Sequence, residues 1–225
     1  MAVVGGIRLG FCVARYILIG MSATLQTRRT DTVSRILAAA EALFLERNYA
    51  DVTVAQVAER ADLTKGAVYH HFSSKEALYR EMLQRDLAAK QALYRTRAVD
   101  VEGTCRERLR HLTAAFLTLP ENKQRLITLV RRDINIFPEP IRSELVRAYQ
   151  QALPELVEAV IRDGIRDGEI IPGDPRLLAW QFVAFVEVLL TPYAGERFAS
   201  DEDRVNYVLG LFLDGCGRDR AVDPT

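Results

Sequence analysis

Residues 53–79 contain the polar side chains whose types and spacing are the most specific in the chain. Thr53 and Gln56 have the T-x-x-Q spacing of a capping box, in which each side chain satisfies the other residue's backbone amide. Thr64 is placed to cap a second short helix, whose first turn carries an ammonium group and two very small residues. Small residues let another molecule approach closely, and hydroxyl and ammonium groups can hydrogen-bond to it. The pattern therefore indicates recognition of a polar partner.

Two short helices, predicted at residues 54–61 and 65–72, would hold these groups in position. Apolar residues recur at helical spacing in both, and Val68 and Phe72, one turn apart, direct the second helix towards the core. Asp62 lies in the joining turn, where an aspartate tolerates a left-handed backbone. This spacing is typical of a helix-turn-helix, whose second helix can enter the major groove of DNA. A plain bundle of short capped helices fits it equally well.

Helices are also predicted on both sides of this pair. Residues 31–47 carry the apolar stripe of a core-facing helix. The S-x-x-E spacing of Ser73 and Glu76 predicts another helix that starts near Ser74. Its pattern continues towards Arg97, so we expect a rigid connection to the rest of the chain.

The run from Arg35 to Leu78, which includes AEALFLERNYADVTVAQVAERADLTKGAVYHHFSSKEAL, resembles the N-terminal domain of TetR-family transcriptional regulators over nearly its whole length. The resemblance implies an all-α protein, in which a three-helix helix-turn-helix DNA-binding domain is followed by a helical ligand-binding and dimerisation domain. The positions that carry the resemblance are Phe44, Thr53, Ala58, Ala61, Gly66, Tyr69, Phe72, Lys75 and Leu78.

The resemblance also implies which residues contact DNA. The first turn of the second helix would face base edges, whereas Tyr69 and Lys75 would hold phosphates and fix the register. Arg28 and Arg29 resemble a flexible arm in the minor groove, with a disordered basic leader as the alternative. The predicted DNA-binding residues are Arg28, Arg29, Thr53, Thr64, Lys65, Gly66, Ala67, Tyr69, His70, His71 and Lys75.

Lys65 is the only long cationic side chain on the second helix, so we expect it to pair with guanine acceptors. A well-formed contact of this kind discriminates against a wrong base by about 1–3 kcal/mol. The alternative is a solvated surface lysine.

The chain as a whole is not basic. Its 30 Lys and Arg residues balance 30 Asp and Glu residues, which gives a formal net charge of zero. Binding to DNA would therefore depend on a few placed phosphate contacts and on dimer symmetry, with a moderate salt dependence. A composition of 49% hydrophobic and 27% charged residues is typical of a soluble globular protein, and 225 residues allow one or two domains.

Residues 1–26 are predicted to be an extension that is disordered or, before Met21, absent from the native protein. At Met21 an apolar stretch, interrupted by arginines and glycines, changes abruptly to a polar arm. The interruptions argue against a membrane span, although a membrane-surface anchor is an alternative. The rest of the chain is predicted to divide into a DNA-binding domain at residues 27–78 and a ligand-binding and dimerisation domain at residues 79–225.

The chain after residue 100 is predicted to be helical, with breaks at clusters of proline, glycine and polar residues. Pro154 should kink or split the longest of these helices. The predicted helices cover residues 104–118, 122–136, 139–166, 175–192 and 202–215.

Two of the C-terminal segments are apolar enough to form an interface between copies. Residues 177–190 are apolar on nearly every face, and residues 207–215 add a second apolar helix. By resemblance, these helices would form a four-helix bundle in a homodimer, which would address the half-sites of a palindromic operator. Ordinary core packing is the alternative. The predicted dimer residues are Leu178, Phe182, Phe185, Leu189, Val205, Val208 and Phe212.

A small-molecule effector would bind in the C-terminal domain, in a mostly apolar pocket with a few orienting groups such as Arg131, Gln181 or Glu187. The resemblance implies that the effector lowers DNA affinity by favouring a conformation with misplaced DNA-binding helices. Core packing is again the alternative for the aromatic residues. The predicted pocket residues are Phe116, Leu129, Arg131, Ile134, Tyr149, Trp180, Gln181 and Phe185.

The sequence contains no H-E-x-x-H, G-x-S-x-G or P-loop motif, so we expect no catalytic residue, metal site or cofactor. His70 and His71 are adjacent and would point in different directions on a helix. The widely spaced Cys12, Cys105 and Cys216 favour a reducing compartment, so we expect a cytoplasmic protein without stable membrane association. The resemblance implies a DNA-binding transcriptional regulator, in particular a repressor released by an effector. The alternative is an all-helical ligand-binding or protein-interaction module with weak or no DNA binding.

Overall fold

The computed structural model describes residues 30–99 and 102–216, and these residues fold almost entirely into α-helices. The predicted extension at residues 1–26, with Met21, lies outside the described residues. The helices are α1 (30–46), α2 (Val54–Arg60), α3 (Lys65–His71), α4 (Lys75–Tyr94), α5 (Cys105–Leu117), α6 (Glu121–Asp133), α7 (Ile141–Ala152), α8 (Pro154–Arg166), α9 (Pro175–Val188), α10 (Pro192–Gly195) and α11 (Asp201–Cys216).

Local sequence signals account for several helix ends. Thr53 and Gln56 form the predicted capping box at α2, and Pro154 splits the predicted long helix because it begins α8. The prediction at the start of α4 was wrong in one respect. The cap is Ser74, whose hydroxyl accepts a hydrogen bond from the amide of Ala77, so the predicted box at Ser73 does not form.

Short segments of tighter or wider helix join the longer elements. Tyr49–Asp51 and Ile134–Ile136 are 3₁₀-helices, and Arg95–Val99 continues α4 as a π-helix. The continuous run from α4 into this π-helix confirms that α4 extends well beyond the helix-turn-helix segment. None of the helices between residues 30 and 216 that the structure describes is long and apolar enough to cross a membrane.

Two apolar cores hold the helices together, and we call them the N-terminal core and the C-terminal core. The N-terminal core contains Ile36 and Phe44 of α1, Val57 of α2, Val68 of α3 and also Leu126 of α6. Because α6 contributes to this core, the helix-turn-helix segment packs directly on the chain that follows it. The C-terminal core is formed by α5, α8, α9 and α11, with Leu109, Val157, Ala179, Phe182 and Leu209 at its centre.

Polar contacts fasten α6 to α1 at both ends of α6. At its N-terminal end, Asn122 and Lys123 bind the carboxylate of Glu41, which is almost fully buried. At its C-terminal end, the Arg132 guanidinium donates to the backbone oxygens of Phe44 and Arg47 at 2.8 and 3.0 Å. These carbonyls lie in the last turn of α1 and just after it, where backbone acceptors lack partners within the helix. The predicted boundary at residues 78 and 79 falls inside α4, and the division into domains stays a prediction.

Candidate functional site

The turn between α2 and α3 has the conformation that its sequence predicts. Asp62 adopts a φ of 54°, in the left-handed region that an aspartate tolerates. The amide of Leu63 donates to the Ala58 carbonyl at 2.9 Å, which closes the turn against α2. Arg35 of α1 donates to the carbonyls of Ala61 and Asp62 at 2.6 and 3.2 Å. The angle between the two helices is therefore held from inside the protein.

Helix α3 has one buried face and one exposed face. Val68 is 1% exposed and Phe72, at the C-terminal cap, is 8% exposed, and both pack in the N-terminal core. On the opposite face, Tyr69 is 45% exposed. The other exposed residues of this face are Thr64, Lys65, Gly66 and His70. Ala67 and His71 are half-buried at the border. The structure thus places the predicted α3 residues on one side of a helix that is anchored by the other side.

Gly66 lies where nothing in the protein requires a glycine. A Cβ atom built there would have the Thr64 hydroxyl oxygen as its nearest neighbour, at 3.9 Å. The space beside Gly66 is therefore open, and a molecule outside the protein can approach the α3 backbone closely.

The caps of α2 and α3 use part of the hydrogen-bonding capacity of the two predicted threonines. The Thr53 hydroxyl accepts from the Gln56 amide at 3.2 Å and also donates to the Gln56 side chain at 3.1 Å. The Thr64 hydroxyl accepts from the Ala67 amide at 3.1 Å, which leaves its O–H as a donor towards the exposed face. Thr64 is therefore better placed than Thr53 to donate to DNA, and both assignments stay predictions.

Lys75 is held by its own chain. Its ammonium donates to the carbonyls of Tyr49 and Val52 at 2.8 and 2.9 Å and lies 4.2 Å from the centre of the Tyr49 ring. Desolvation lowers the pKa of Lys75, although Asp51 opposes that shift. Two of its three N–H donors stabilise the turn before α2, so a phosphate contact, which stays a prediction, would have one donor available. Arg28 and Arg29 lie outside the described residues.

A cavity of about 290 Å³ lies among α6, α7, α8 and α9. Most of its wall is apolar, and it includes four residues that the sequence analysis proposed for a ligand pocket. The lining residues are Val130, Arg131, Ile134, Val146, Tyr149, Gln150, Pro154, Trp180 and Val183. The cavity is thus of the mixed apolar and polar kind that binds small molecules.

Arg131, Tyr149 and Glu187 form a hydrogen-bonded group at this cavity. The Arg131 guanidinium pairs with one Glu187 oxygen, and the Tyr149 hydroxyl donates to the other at 3.3 Å. Burial raises the pKa of Glu187, and burial, with the Glu187 charge nearby, raises the pKa of Tyr149 to about 12. Both oxygens of Glu187 are therefore bound within the protein.

The remaining residues predicted for the pocket do not line this cavity, and their contact with a ligand stays a prediction. Phe116 and Leu129 are each 1% exposed, because one packs in the C-terminal core and the other in the N-terminal core. Gln181 faces outward from α9. Phe185 packs against Phe212, with ring centres 6.3 Å apart.

The predicted dimer residues also need correction. The structure buries Phe182, Leu189, Val205, Val208 and Phe212 in the C-terminal core of a single protomer, each at most 3% exposed. They are therefore unavailable to a second copy.

Leu178 and Phe185, the other two predicted dimer residues, are half-buried against the same C-terminal core. The same two helices carry a different apolar surface. We call the set the outer face: Leu177 and Val188 of α9 with Tyr207 and Leu211 of α11, each more than half exposed.

Sequence reasoning missed the roles of three arginines that join distant elements. Arg35 holds the turn, Arg132 holds the end of α1, and Arg108 pairs with Asp163 across the C-terminal core at 2.8 Å. Their partners lie far away in sequence, so no spacing pattern could indicate them. Among the described residues, no group of three or more His, Cys, Asp or Glu side chains is arranged to hold a metal ion.

Comparison with protein families assigns both halves of the chain. Residues 36–82 match the model of the tetR family of bacterial regulatory proteins, and residues 102–191 match the model of the tetracyclin repressor-like C-terminal domain. The two matches together span more than half of the chain.

Individual proteins agree with these matches. The chain is 24% identical over 183 residues to the uncharacterized HTH-type transcriptional regulator YhgD of Bacillus subtilis, covering 81% of this chain and 95% of YhgD. It is 27% identical over 148 residues to the HTH-type transcriptional repressor KstR2 of Mycobacterium tuberculosis, covering 66% of this chain and 74% of KstR2.

Solved structures show the same fold. The structure of the ketosteroid regulator KstR2 superposes with a TM-score of 0.69 at 25% identity, covering 83% of this chain and 95% of KstR2. The regulator FadR of Bacillus subtilis, in complex with stearoyl-CoA, superposes with a TM-score of 0.67 at 19% identity, covering 81% of this chain and 98% of FadR. The chain therefore belongs to the tetR family of bacterial regulatory proteins and is a helix-turn-helix transcriptional regulator.

Proposed function

We propose that the protein is a cytoplasmic, homodimeric repressor that binds a palindromic DNA operator through α3 and releases it when a small molecule occupies the cavity beside Arg131. The observation that carries this proposal is the division of α3 into an anchored face and an exposed face of small and polar residues. A recognition helix requires this combination, because it must be fixed in the protein and yet fit the major groove.

The exposed face also suggests how α3 would read DNA. Lys65 and Thr64 begin the helix, where side chains reach base edges, and Tyr69 lies one turn further on, with the Lys65 ammonium 5.8 Å from its ring centre. The open space at Gly66 permits close approach of the groove. We assign base contacts to Lys65 and Thr64 and backbone contacts to Tyr69 and His70.

The outer face supports the proposed homodimer. Four large apolar side chains, Leu177, Val188, Tyr207 and Leu211, are exposed on two neighbouring helices that are otherwise fixed in the C-terminal core. Exposed apolar surface of this kind marks an interaction site. A second copy with the same surface would form a symmetric interface and place two α3 helices on half-sites about 34 Å apart or at a multiple of that distance.

The test is fluorescence anisotropy of the protein on labelled fragments from the DNA that flanks its own gene, with excess competitor DNA and a series of salt concentrations. We expect saturable, competitor-resistant binding to one fragment. The double variant Lys65→Ala, Tyr69→Ala, which leaves the Thr64 cap of α3 in place, should lose this binding while it keeps its helical content. Weak binding to every fragment, equally sensitive to salt and equal in the variant, would contradict the proposal and favour an all-helical ligand-binding or interaction module.

A further inference from the structure

We propose that the ligand of the cavity beside Arg131 is a compact apolar molecule that carries one carboxylate, and that the carboxylate pairs with Arg131. This inference rests on the proposed function, in which the cavity holds the effector, and it adds the chemical class of that effector.

Size and lining define the body of the ligand. The cavity of about 290 Å³ lies near the lower end of the range of roughly 300–1,000 Å³ that is usual for drug-sized ligands. Val130, Ile134, Val146 and Val183 provide aliphatic walls, and Trp180 provides an aromatic one. A small, apolar ring system or short chain would therefore gain the most from burial there.

The charge of the ligand can be inferred from which protein side chain at the cavity still has hydrogen-bonding groups to offer. Glu187 is 13% exposed, and each of its oxygens already has a partner, Arg131 or Tyr149. Arg131 lines the cavity, is 57% exposed, and has five N–H donors, of which its pairing with Glu187 uses only part. An anion can therefore bind Arg131 without displacing anything, whereas a cation would have to compete for Glu187.

A carboxylate fits this geometry better than a larger anion. Guanidinium and carboxylate form planar, charge-assisted hydrogen bonds. The small volume beside Arg131 leaves little room for a phosphate together with an apolar body. The side-chain amide of Gln150, which also lines the cavity, can donate to the same carboxylate.

The protein contains a reporter for this test, because Trp180 is its only tryptophan and lies in the cavity wall. We would titrate the protein, at fixed concentration, with cyclohexanecarboxylate, adamantane-1-carboxylate and decanoate and follow Trp180 emission, with calorimetry as a second measurement. Each acid is paired with its own neutral carboxamide. We expect at least one acid to bind about ten- to a hundredfold more tightly than its amide, as a charge-assisted hydrogen bond implies.

Variants then assign the preference to Arg131. Arg131→Gln should lower the affinity for the acid to that for its amide. Arg125→Gln, which removes an exposed arginine from the same helix, should leave the affinities for the acid and for the amide unchanged. Glu187→Gln should tighten binding of the acid, because it removes the competing carboxylate and keeps the size of the side chain. Circular dichroism checks that each variant is folded.

Three results would overturn the inference: no acid binds, the amides bind as tightly as the acids, or Arg131→Gln leaves the preference intact. The proposed function is tested separately, because these titrations contain no DNA. If an acid binds at Arg131 but leaves an operator complex intact, the chemical class stands and the effector role of the cavity is wrong. If no operator is found, the titrations still show whether the cavity prefers the acid to its amide.

Discussion

Replacement of Arg132 by methionine should destabilise the protein by about 3 kcal/mol, because it leaves a buried carboxylate without its counter-charge. The guanidinium donates to both oxygens of Asp133 at 2.9 and 2.8 Å, and Asp133 is only 2% exposed. The other partner of Asp133 is the Tyr79 hydroxyl at 2.8 Å, which is neutral. Burial and the Asp133 charge raise the pKa of Tyr79, so it stays neutral over the ordinary pH range.

The magnitude follows from the exposure of the two partners. Removing one member of a buried ion pair costs about 3–5 kcal/mol. The Arg132 side chain is 34% exposed, so solvent screening places the expected loss at the lower end of that range. The carbonyls of Phe44 and Arg47 also lose a donor, but water can reach the end of α1 and replace much of that interaction.

The measurement is urea unfolding, followed by circular dichroism at one fixed protein concentration, because dimerisation would make stability depend on concentration. Wild type, Arg132→Met, Asp133→Asn and the double variant form a thermodynamic cycle. With the charge of Asp133 removed, Arg132→Met should cost only about 1 kcal/mol, which gives a coupling of about 2 kcal/mol. Arg125→Met, on the exposed side of α6, should change stability by less than about 0.5 kcal/mol.

Two results would refute this reasoning. A loss below about 1 kcal/mol for Arg132→Met would mean that water reaches and solvates the Asp133 carboxylate when Arg132 is absent. An equal loss in the presence and absence of the Asp133 charge would mean that Arg132 acts through the carbonyls of α1 instead.

Four further predictions concern other parts of the molecule. Lys65→Ala should weaken operator binding by roughly tenfold or more per half-site and leave the affinity for competitor DNA nearly unchanged, as measured by fluorescence anisotropy. An equal loss of affinity for both DNAs would mean that Lys65 contacts a phosphate and not a base. Gly66→Ala should raise the free energy of unfolding by up to about 1 kcal/mol and yet weaken operator binding, and unchanged binding would mean that DNA does not approach there. Leu211→Glu should yield monomers in light scattering, whereas Ile136→Glu, at an exposed apolar site away from the outer face, should not; a dimeric Leu211→Glu would place the interface elsewhere. The free energy of unfolding should fall between about pH 10 and 12, because Tyr149 keeps its proton up to a pKa of about 12 in the folded state and releases it near 10 when unfolded. Tyr149→Phe should make this fall with pH less steep, as measured by urea unfolding at several pH values.

The helix-turn-helix could be predicted residue by residue because its determinants are local. The Thr53 and Thr64 caps and the left-handed Asp62 involve atoms that are at most a few residues apart. The energy of such contacts depends on the backbone conformation of one turn and needs no knowledge of the rest of the fold. The cap of α4 was misplaced by one residue, since Ser73 and Ser74 are adjacent and equally suitable in type.

The orientation of α9 and α11 could not be predicted in the same way. Residues 177–190 are apolar around most of the helix, so the sequence does not distinguish the side that faces the core from the side that faces solvent. The structure places Phe182 and Phe212 edge to face, with ring centres 5.1 Å apart, and leaves Leu177 and Leu211 exposed. The predicted dimer residues were mostly wrong for this reason, although the structure does have helices in both predicted segments.

The sequence by itself determined that the chain is helical, where most helices begin, and which face of α3 is polar, because these properties depend on short-range periodicity and capping. Only the tertiary structure decided which charges meet. Arg35 reaches the turn at Asp62, Arg132 reaches the end of α1, and Arg131 meets Glu187 beside a cavity. Such contacts join residues that are distant in the chain, and they form only where packing of the apolar cores sets the crossing of the helices.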